Sequence, residues 1–239
     1  MGHSCQEESV EHIGIVDVTT AGAAMCANAV VRHSADYFAP GVHPEFTLHS
    51  LSFHRYRDAV RNGDWEAMVE LVVESVTKLH AIGADFVIIP SNTPHYAIQG
   101  AQLGSPLPIL SLLEVVSEEA RAREYRRILV LGTVATMRGG LYTAPLKERG
   151  IEAVFPDDEG QRRIDQLISL NSAEVTAQSP VLQGVLSDCR SQGCDAAILG
   201  STELSWLLHE GALKMPVLDT MDLLARAAVR RCAAAMVWD

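Results

Sequence analysis

The 239-residue sequence predicts an α/β protein of two similar lobes related by a pseudo-two-fold axis, each a mainly parallel sheet flanked by helices, with a site for a small anion between the lobes. Three observations predict this. Short apolar runs alternate with helix-period stretches, the pattern of parallel strands joined by helices. The order of these elements is written twice. The same polar residues follow the same strand in both halves.

The repeat is read by aligning Gly83-Ala-Asp-Phe-Val-Ile-Ile-Pro-Ser-Asn-Thr93 with Gly193-Cys-Asp-Ala-Ala-Ile-Leu-Gly-Ser-Thr-Glu203, at an offset of 110 residues. A second pair, Pro108-Ile-Leu and Pro216-Val-Leu, agrees at an offset of 108, and a third sets Ile13–Asp17 beside Ile128–Gly132 at 115. The halves run near 12–123 and 127–238. The expected organisation is an N-terminal lobe over 1–115, a C-terminal lobe over 116–215, and a final strand and helix over 216–239 that packs back on the N-terminal lobe.

In chain order, the first half offers strands at Ile13–Val16, Phe46–Ser50, Phe86–Ile89 and Ile109–Leu110. The second offers Ile128–Leu131, Glu152–Val154, Ala196–Leu199 and Val217–Leu218. The helix from Asp64 to Ile82 is the best marked: Asp64 caps it, Met68, Leu71, Val72, Val76, Leu79 and Ile82 recur on one face, and Gly83 stops it. Residues Met221–Val237 read as a last helix. Trp65, Trp206 and Trp238 are expected at helix ends.

Composition sets the outer limits. A hydrophobic fraction of 48% supplies a real core, and a net charge of −11 argues against nucleic acid, whose phosphates need a basic face. The apolar runs are too short to span a membrane, and the first residues lack a signal-peptide core, so a cytoplasmic location is the expectation. Five cysteines, with no CxxC pair and no nearby histidine pair, read as reduced thiols. Glycine-rich phosphate loops, HExxH and dinucleotide fingerprints are missing, which disfavours nucleotide and metal chemistry.

Ser91 and Ser201 each follow a central strand, where open parallel sheets bind ligands. If the lobes face each other, these two residues approach one ligand from opposite sides, a geometry suited to taking a proton from one face of a carbon and returning one to the other. Asn92, Thr93 and Thr202 are suitable donors for a carboxylate whose charge grows during proton removal. Thr133 and Thr136, in the matching loop of the second half, are further donors. The competing account is local: Ser, Asn and Thr after a strand are ordinary caps, and Thr136 caps the next helix equally well. A serine-nucleophile reading of Ser91 with His95 lacks a Gly-x-Ser-x-Gly elbow and an acid partner.

At Pro90-Ser-Asn-Thr-Pro-His95 and Leu199-Gly-Ser-Thr-Glu-Leu204 the chain resembles the aspartate/glutamate racemase family, whose members usually carry Cys-Asn-Thr-x-His and Gly-Cys-Thr-Glu there. His43–Phe53 with Gly63-Asp-Trp-Glu66, Leu131–Met137 with Tyr142, Arg149-Gly-Ile-Glu152 and Pro216–Thr220 extend the resemblance along nearly the whole chain. It implies a homodimer that needs neither pyridoxal phosphate nor metal, takes an amino acid or other small carboxylate, and inverts its α-carbon with two cysteines as the paired acid and base. It makes Ser91 and Ser201 the catalytic positions, and places Asp17 and Glu203 beside them; a helix cap at Asp17 and a first-turn acid at Glu203 remain open.

The departures matter. Thiols suit this work because their pKa of about 8.5 needs only a modest shift, whereas a serine hydroxyl is a far weaker acid. A serine at 91 has parallels among relatives that rely on the second cysteine; position 201 is usually cysteine even in those. Ser201 is either a near-isosteric replacement of a cysteine, favoured by the intact Thr202-Glu203-Leu204, or the mark of a natural member that uses the pocket for binding or for isomerase or decarboxylase chemistry on a related acid. The distal group of a dicarboxylate needs a cation, for which Arg55, Arg57, Arg138, Arg162 and His49 are candidates. The family's lysine near Leu170-Asn-Ser172 is absent.

Overall fold

The computed structural model describes residues 10–170, 179–207 and 215–235. The first half contains β1 (Ile13–Asp17), α1 (Thr20–Ser34), β2 (Phe46–Ser50), α2 (Phe53–Asn62), α3 (Trp65–Ala81), β3 (Phe86–Ile88), a 3-10 turn (Thr93–Ala97), α4 (Ile98–Gly104), β4 (Ile109–Leu110) and α5 (Leu112–Ala122). The second contains β5 (Arg127–Gly132), α6 (Val134–Arg138), α7 (Thr143–Lys147), β6 (Glu152–Val154), α8 (Asp158–Leu170), α9 (Pro180–Ser191), β7 (Ala196–Gly200), α10 (Thr202–Leu207), β8 (Val217–Asp219) and α11 (Thr220–Ala235). All pairings are parallel, and the sheet orders are β2-β1-β3-β4 and β6-β5-β7-β8.

Duplication reaches the register. Val87 faces Ile109 in the first sheet as Ala197 faces Val217 in the second. The shared Gly-x-Asp is structural. Gly83 and Gly193, at φ of 91° and 81°, take the left-handed conformation that ends a helix. Each helix closes with the same pair of bonds, Ala84 N to Leu79 O and Gly83 N to His80 O in α3, Cys194 N to Cys189 O and Gly193 N to Arg190 O in α9. The aspartate then ties the next strand to its neighbour: Asp85 accepts from His12 N at 2.7 Å, and Asp195 from Arg126 N at 2.8 Å.

Parallel strands covered on both faces are apolar at every position, and their alternation sorts the core. Ile13, Ile15, Phe86, Ile88, Ile128, Val130, Ala196 and Ile198 face one common core with α1, α5, α7 and α11. Val16, Val87 and Ile89 face a second with α2, α3 and α4; Leu129, Leu131, Ala197 and Leu199 face a third with α8 and α9. The halves therefore share a core. Of the 216–239 segment, β8 pairs with β7 in the second sheet, while α11 packs on α1 and α5. An ion pair clips that contact, with Asp222 accepting from Arg32 and His33.

Helix α3 follows the expected stripe except at its end. Met68, Leu71, Val72, Val76 and Leu79 are buried, but Ile82 is 56% exposed because the helix stops at Ala81 and Ile82 turns out of the stripe. Trp65 opens α3 and stacks on Tyr96. Cys26, Cys189, Cys194 and Cys232 are free and buried. Trp238, the Trp206 side chain, Cys5, the segment 171–178 where the missing lysine was sought, and the end of the last helix beyond 235 lie outside the described residues. Among the described residues, no helix is long and apolar enough to cross a membrane.

Asp64 accepts from Ala67 N at 2.9 Å, satisfying one of the free donors at the start of α3. Asp64→Ala should therefore destabilise the protein by about 1 kcal/mol in urea unfolding, and Asp64→Ser by much less. Equal midpoints for Asp64→Ala and the unchanged chain would show that the cap contributes nothing.

Candidate active site

In each sheet the two central strands send their chains in opposite directions: β1 leads towards β2, and β3 towards β4. A crevice opens where neighbouring connections diverge, beyond the carboxyl ends of the strands. Asp17 ends β1 and Ser91 lies just past β3; Thr133 follows β5 and Ser201 follows β7, where Gly132 and Gly200 are register partners.

Four contacts bring the two crevices together. Asn92 donates through Nδ2 to Thr220 Oγ1 at 3.1 Å and accepts through Oδ1 from the Tyr142 hydroxyl. Thr220 donates in turn to the carbonyl of Leu199, so a buried polar chain runs from the loop after β3 to the end of β7. Tyr96 Oη donates to the carbonyl of Ala135. Thr202 lies against Gly22 of α1 so closely that a Cβ there would sit 2.7 Å from the Thr202 methyl. Burial pushes the Tyr142 phenol well above its ordinary pKa, so it stays a neutral donor.

Ser91 is half-buried, and its backbone is held by His95. Leu112 N, the first amide of α5, donates to His95 Nε2 at 3.3 Å. That nitrogen must therefore be the acceptor, so Nδ1 carries the proton and donates to Ser91 O at 2.9 Å. Burial lowers the His95 pKa to about 4. His95 is a neutral strut between the Ser91 turn and α5, with both nitrogens used.

Ser201 is 6% exposed and spends its hydroxyl proton on Glu203, donating to Oε2 at 2.5 Å; Thr202 Oγ1 donates to the same oxygen at 3.2 Å. Asp17 is 1% exposed: its Oδ2 accepts from Thr20 Oγ1 at 3.1 Å, and its buried Oδ1 has no partner among the described residues. Thr93 is half-buried at the start of the 3-10 turn.

Several sequence candidates are used otherwise than expected. Asn92 does not cap the turn after it, and both its side-chain atoms join the halves rather than pointing unpaired at a ligand. Thr133, not Thr136, caps α6, accepting from Thr136 N at 3.3 Å. Thr136 is fully buried, wedged against Gly132 and Gly200 with its hydroxyl near Thr133, because only glycines there leave room for it. Arg55 pairs with Glu74, Arg138 with Asp158 and Arg162 with Glu159. Arg57 is exposed. His49 meets Ser75 Oγ at 3.1 Å, and its pKa is lowered, chiefly by burial. Among the described residues, no cluster of three His, Cys, Asp or Glu is placed to hold a metal ion. A groove of about 410 Å³ between α5 and α11, lined by residues such as Val115, Glu119 and Arg226, contains none of the site residues. Tyr142 and Thr220 were not legible as site residues, since their link to Asn92 spans 50 and 128 positions.

Comparison with known proteins follows the same lines. The sequence model of the family described as Asp/Glu/Hydantoin racemase matches residues 13–228. The broad specificity amino-acid racemase RacX of Bacillus subtilis (strain 168) is 27% identical over 188 residues, 78% of this chain and 81% of that enzyme. A glutamate racemase of Aquifex aeolicus (strain VF5) is 28% identical over 147 residues, 61% of this chain and 56% of that enzyme. The crystal structure of an aspartate racemase homologue from Pyrococcus horikoshii OT3 superposes with a TM-score of 0.81 at 25% identity, covering 93% of this chain and 99% of that one.

The His95 strut sets a pH dependence. The unfolded chain takes up its proton near pH 6.5 and the folded chain resists it until about pH 4. Stability is thus full above pH 6.5 and falls as pH drops through that window, by about 3 kcal/mol at most. His95→Gln keeps a donor and an acceptor but no titration. Its unfolding midpoint should fall less than that of the unchanged chain between pH 7 and pH 4.5, and parallel declines would refute this.

Proposed function

The chain belongs to the Asp/Glu/hydantoin racemase family, and from that premise we propose that it binds a small amino acid or related carboxylate in the crevice between its halves and moves a proton at the α-carbon without pyridoxal phosphate. What carries the reading is the duplicated placement of Ser91 and Ser201, one residue past Pro90 and Gly200 at corresponding strand ends in sheets of identical order. The Cα proton is removed at one face, its electron pair passes into the carboxylate as an enediolate, and a proton is returned at the other face. Thr93 and the backbone amides that follow the strands supply the fixed donors such a charge needs, the Thr202 hydroxyl being committed to Glu203.

A hydroxyl at position 201 weakens this chemistry. An alcohol does not ionise near neutrality, and Ser201 already gives its proton to Glu203. That commitment favours a second reading, in which the family's pocket serves to bind a carboxylate or to isomerise or decarboxylate a related acid. Fold alone does not choose between these chemistries.

The deciding measurement is α-deuterium incorporation in D₂O across D- and L-amino acids. The unchanged chain should exchange slowly, and Ser201→Cys, alone or with Ser91→Cys, should raise the rate at least about 100-fold, the scale of a positioned acid or base. No exchange in any variant, together with saturable carboxylate binding, would select the second reading. No exchange and no binding would remove both.

A further inference from the structure

Two carboxylates stand at central strand ends, one from each half, and we infer that Asp17 and Glu203, rather than the serine hydroxyls, are the acid and base that move the proton in this chain. The inference rests on the proposed proton transfer at an α-carbon.

It begins by elimination among the site's ionisable groups. His95 has both nitrogens in hydrogen bonds to Ser91 O and Leu112 N, His49 at the end of β2 is bonded to Ser75, and Asp219 at the end of β8 accepts from Asp222 N. Ser201 is a donor to Glu203, and a hydroxyl has no ionised form to offer near neutrality. Among the residues gathered at the four central strand ends, Asp17 and Glu203 remain.

Their surroundings suit the work. Asp17 is 1% exposed, and its Oδ1 has no hydrogen-bond partner among the described residues. A buried carboxylate oxygen is costly to leave unpaired, and such exceptions mark places where a ligand completes the set. Glu203 has the opposite arrangement. Ser201 Oγ and Thr202 Oγ1 both donate to its Oε2, orienting the carboxylate while Oε1 takes no hydrogen bond from the described residues. Under this reading Ser201 has a purpose of its own: it positions Glu203.

The two groups belong to different halves yet converge on one element. Asp17 is bonded to Thr20 in the first turn of α1. Thr202, the residue before Glu203, packs on Gly22 two positions further along α1, where a side chain would collide with it. The first turn of α1 thus gathers a carboxylate from the first half and one from the second at the same end of the sheets.

The step balances without a redox partner. One carboxylate takes the Cα proton: the C–H bond breaks, an O–H bond forms, and the electron pair enters the substrate's carboxyl group. The other, protonated, gives its proton to the opposite face: its O–H bond breaks and a C–H bond forms. The two groups exchange protonation states and are reset by solvent, which brings in deuterium when the solvent is D₂O.

A two-base site assigns one base to each enantiomer, and a merely structural role does not. The test follows loss of the α-proton by ¹H NMR in D₂O, starting separately from the D- and L-forms of a panel of amino acids and 5-substituted hydantoins. It uses the unchanged chain, Asp17→Asn and Glu203→Gln. Each replacement should suppress exchange from one enantiomer at least about 30-fold more than from the other, and the two should select opposite enantiomers. Where Asp17→Asn does not fold, Asp17→Ser, which also lacks the carboxylate, provides the same comparison. Equal suppression of both enantiomers, as expected if Asp17 only binds the substrate's ammonium group, would overturn the inference, and so would no suppression. Absence of any exchange by the unchanged chain would also overturn it. In that case exchange by the Ser91→Cys/Ser201→Cys double variant leaves the proposed function standing, and its absence there removes both.

Discussion

The architecture depends on one constraint: a parallel strand must be covered on both faces. Each half has a four-stranded sheet whose outer face is covered by helices of that half alone, whereas the helices on the inner faces come from both halves. The outer face of the first sheet lies under α2, α3 and α4, and that of the second under α8 and α9. The inner faces have no separate covers, and they meet α1, α5, α7 and α11 in one shared core. Separating the halves would expose Ile13, Phe86, Ile128 and Ile198 together, at about 25 cal/mol for every Å² returned to water. The crevice at the strand ends is therefore held by the core beneath it rather than by its own polar contacts.

Polar contacts then set its fine geometry. Asn92, Tyr142 and Thr220 form a satisfied buried chain, and such networks define a single arrangement because each member loses a partner if another moves. His95 does the same for the Ser91 turn, and its burial is what keeps it neutral. These groups are polar yet unavailable to a ligand. Asp17 differs, as a carboxylate buried as deeply as they are but with one oxygen unpaired.

Much of the fold was legible in the chain. The eight runs read from the sequence match the eight strands among the described residues, since a short, mostly apolar run bounded by turn residues has few other uses in a repeated α/β pattern. Ile82 escaped because hydrophobic periodicity does not register where a helix stops. Helix α2 was not foreseen, because Phe53–Asn62 is strongly polar and only Tyr56 and Ala59 are buried. The Gly-x-Asp signature shared by the halves is a helix stop followed by a strand tie.

For the site, sequence alone determined that two equivalent strand ends carry polar residues and that both expected thiols are hydroxyls. Residue identity and local spacing contain that information. Only the tertiary structure decided which of those residues are committed to protein partners: Asn92 to Tyr142 and Thr220, Thr136 to a niche between two glycines, Ser201 to Glu203, and Asp17 to Thr20 by one oxygen alone. A hydrogen bond is made or lost over a few tenths of an ångström, between residues up to 128 positions apart. No periodicity in the chain encodes that distance.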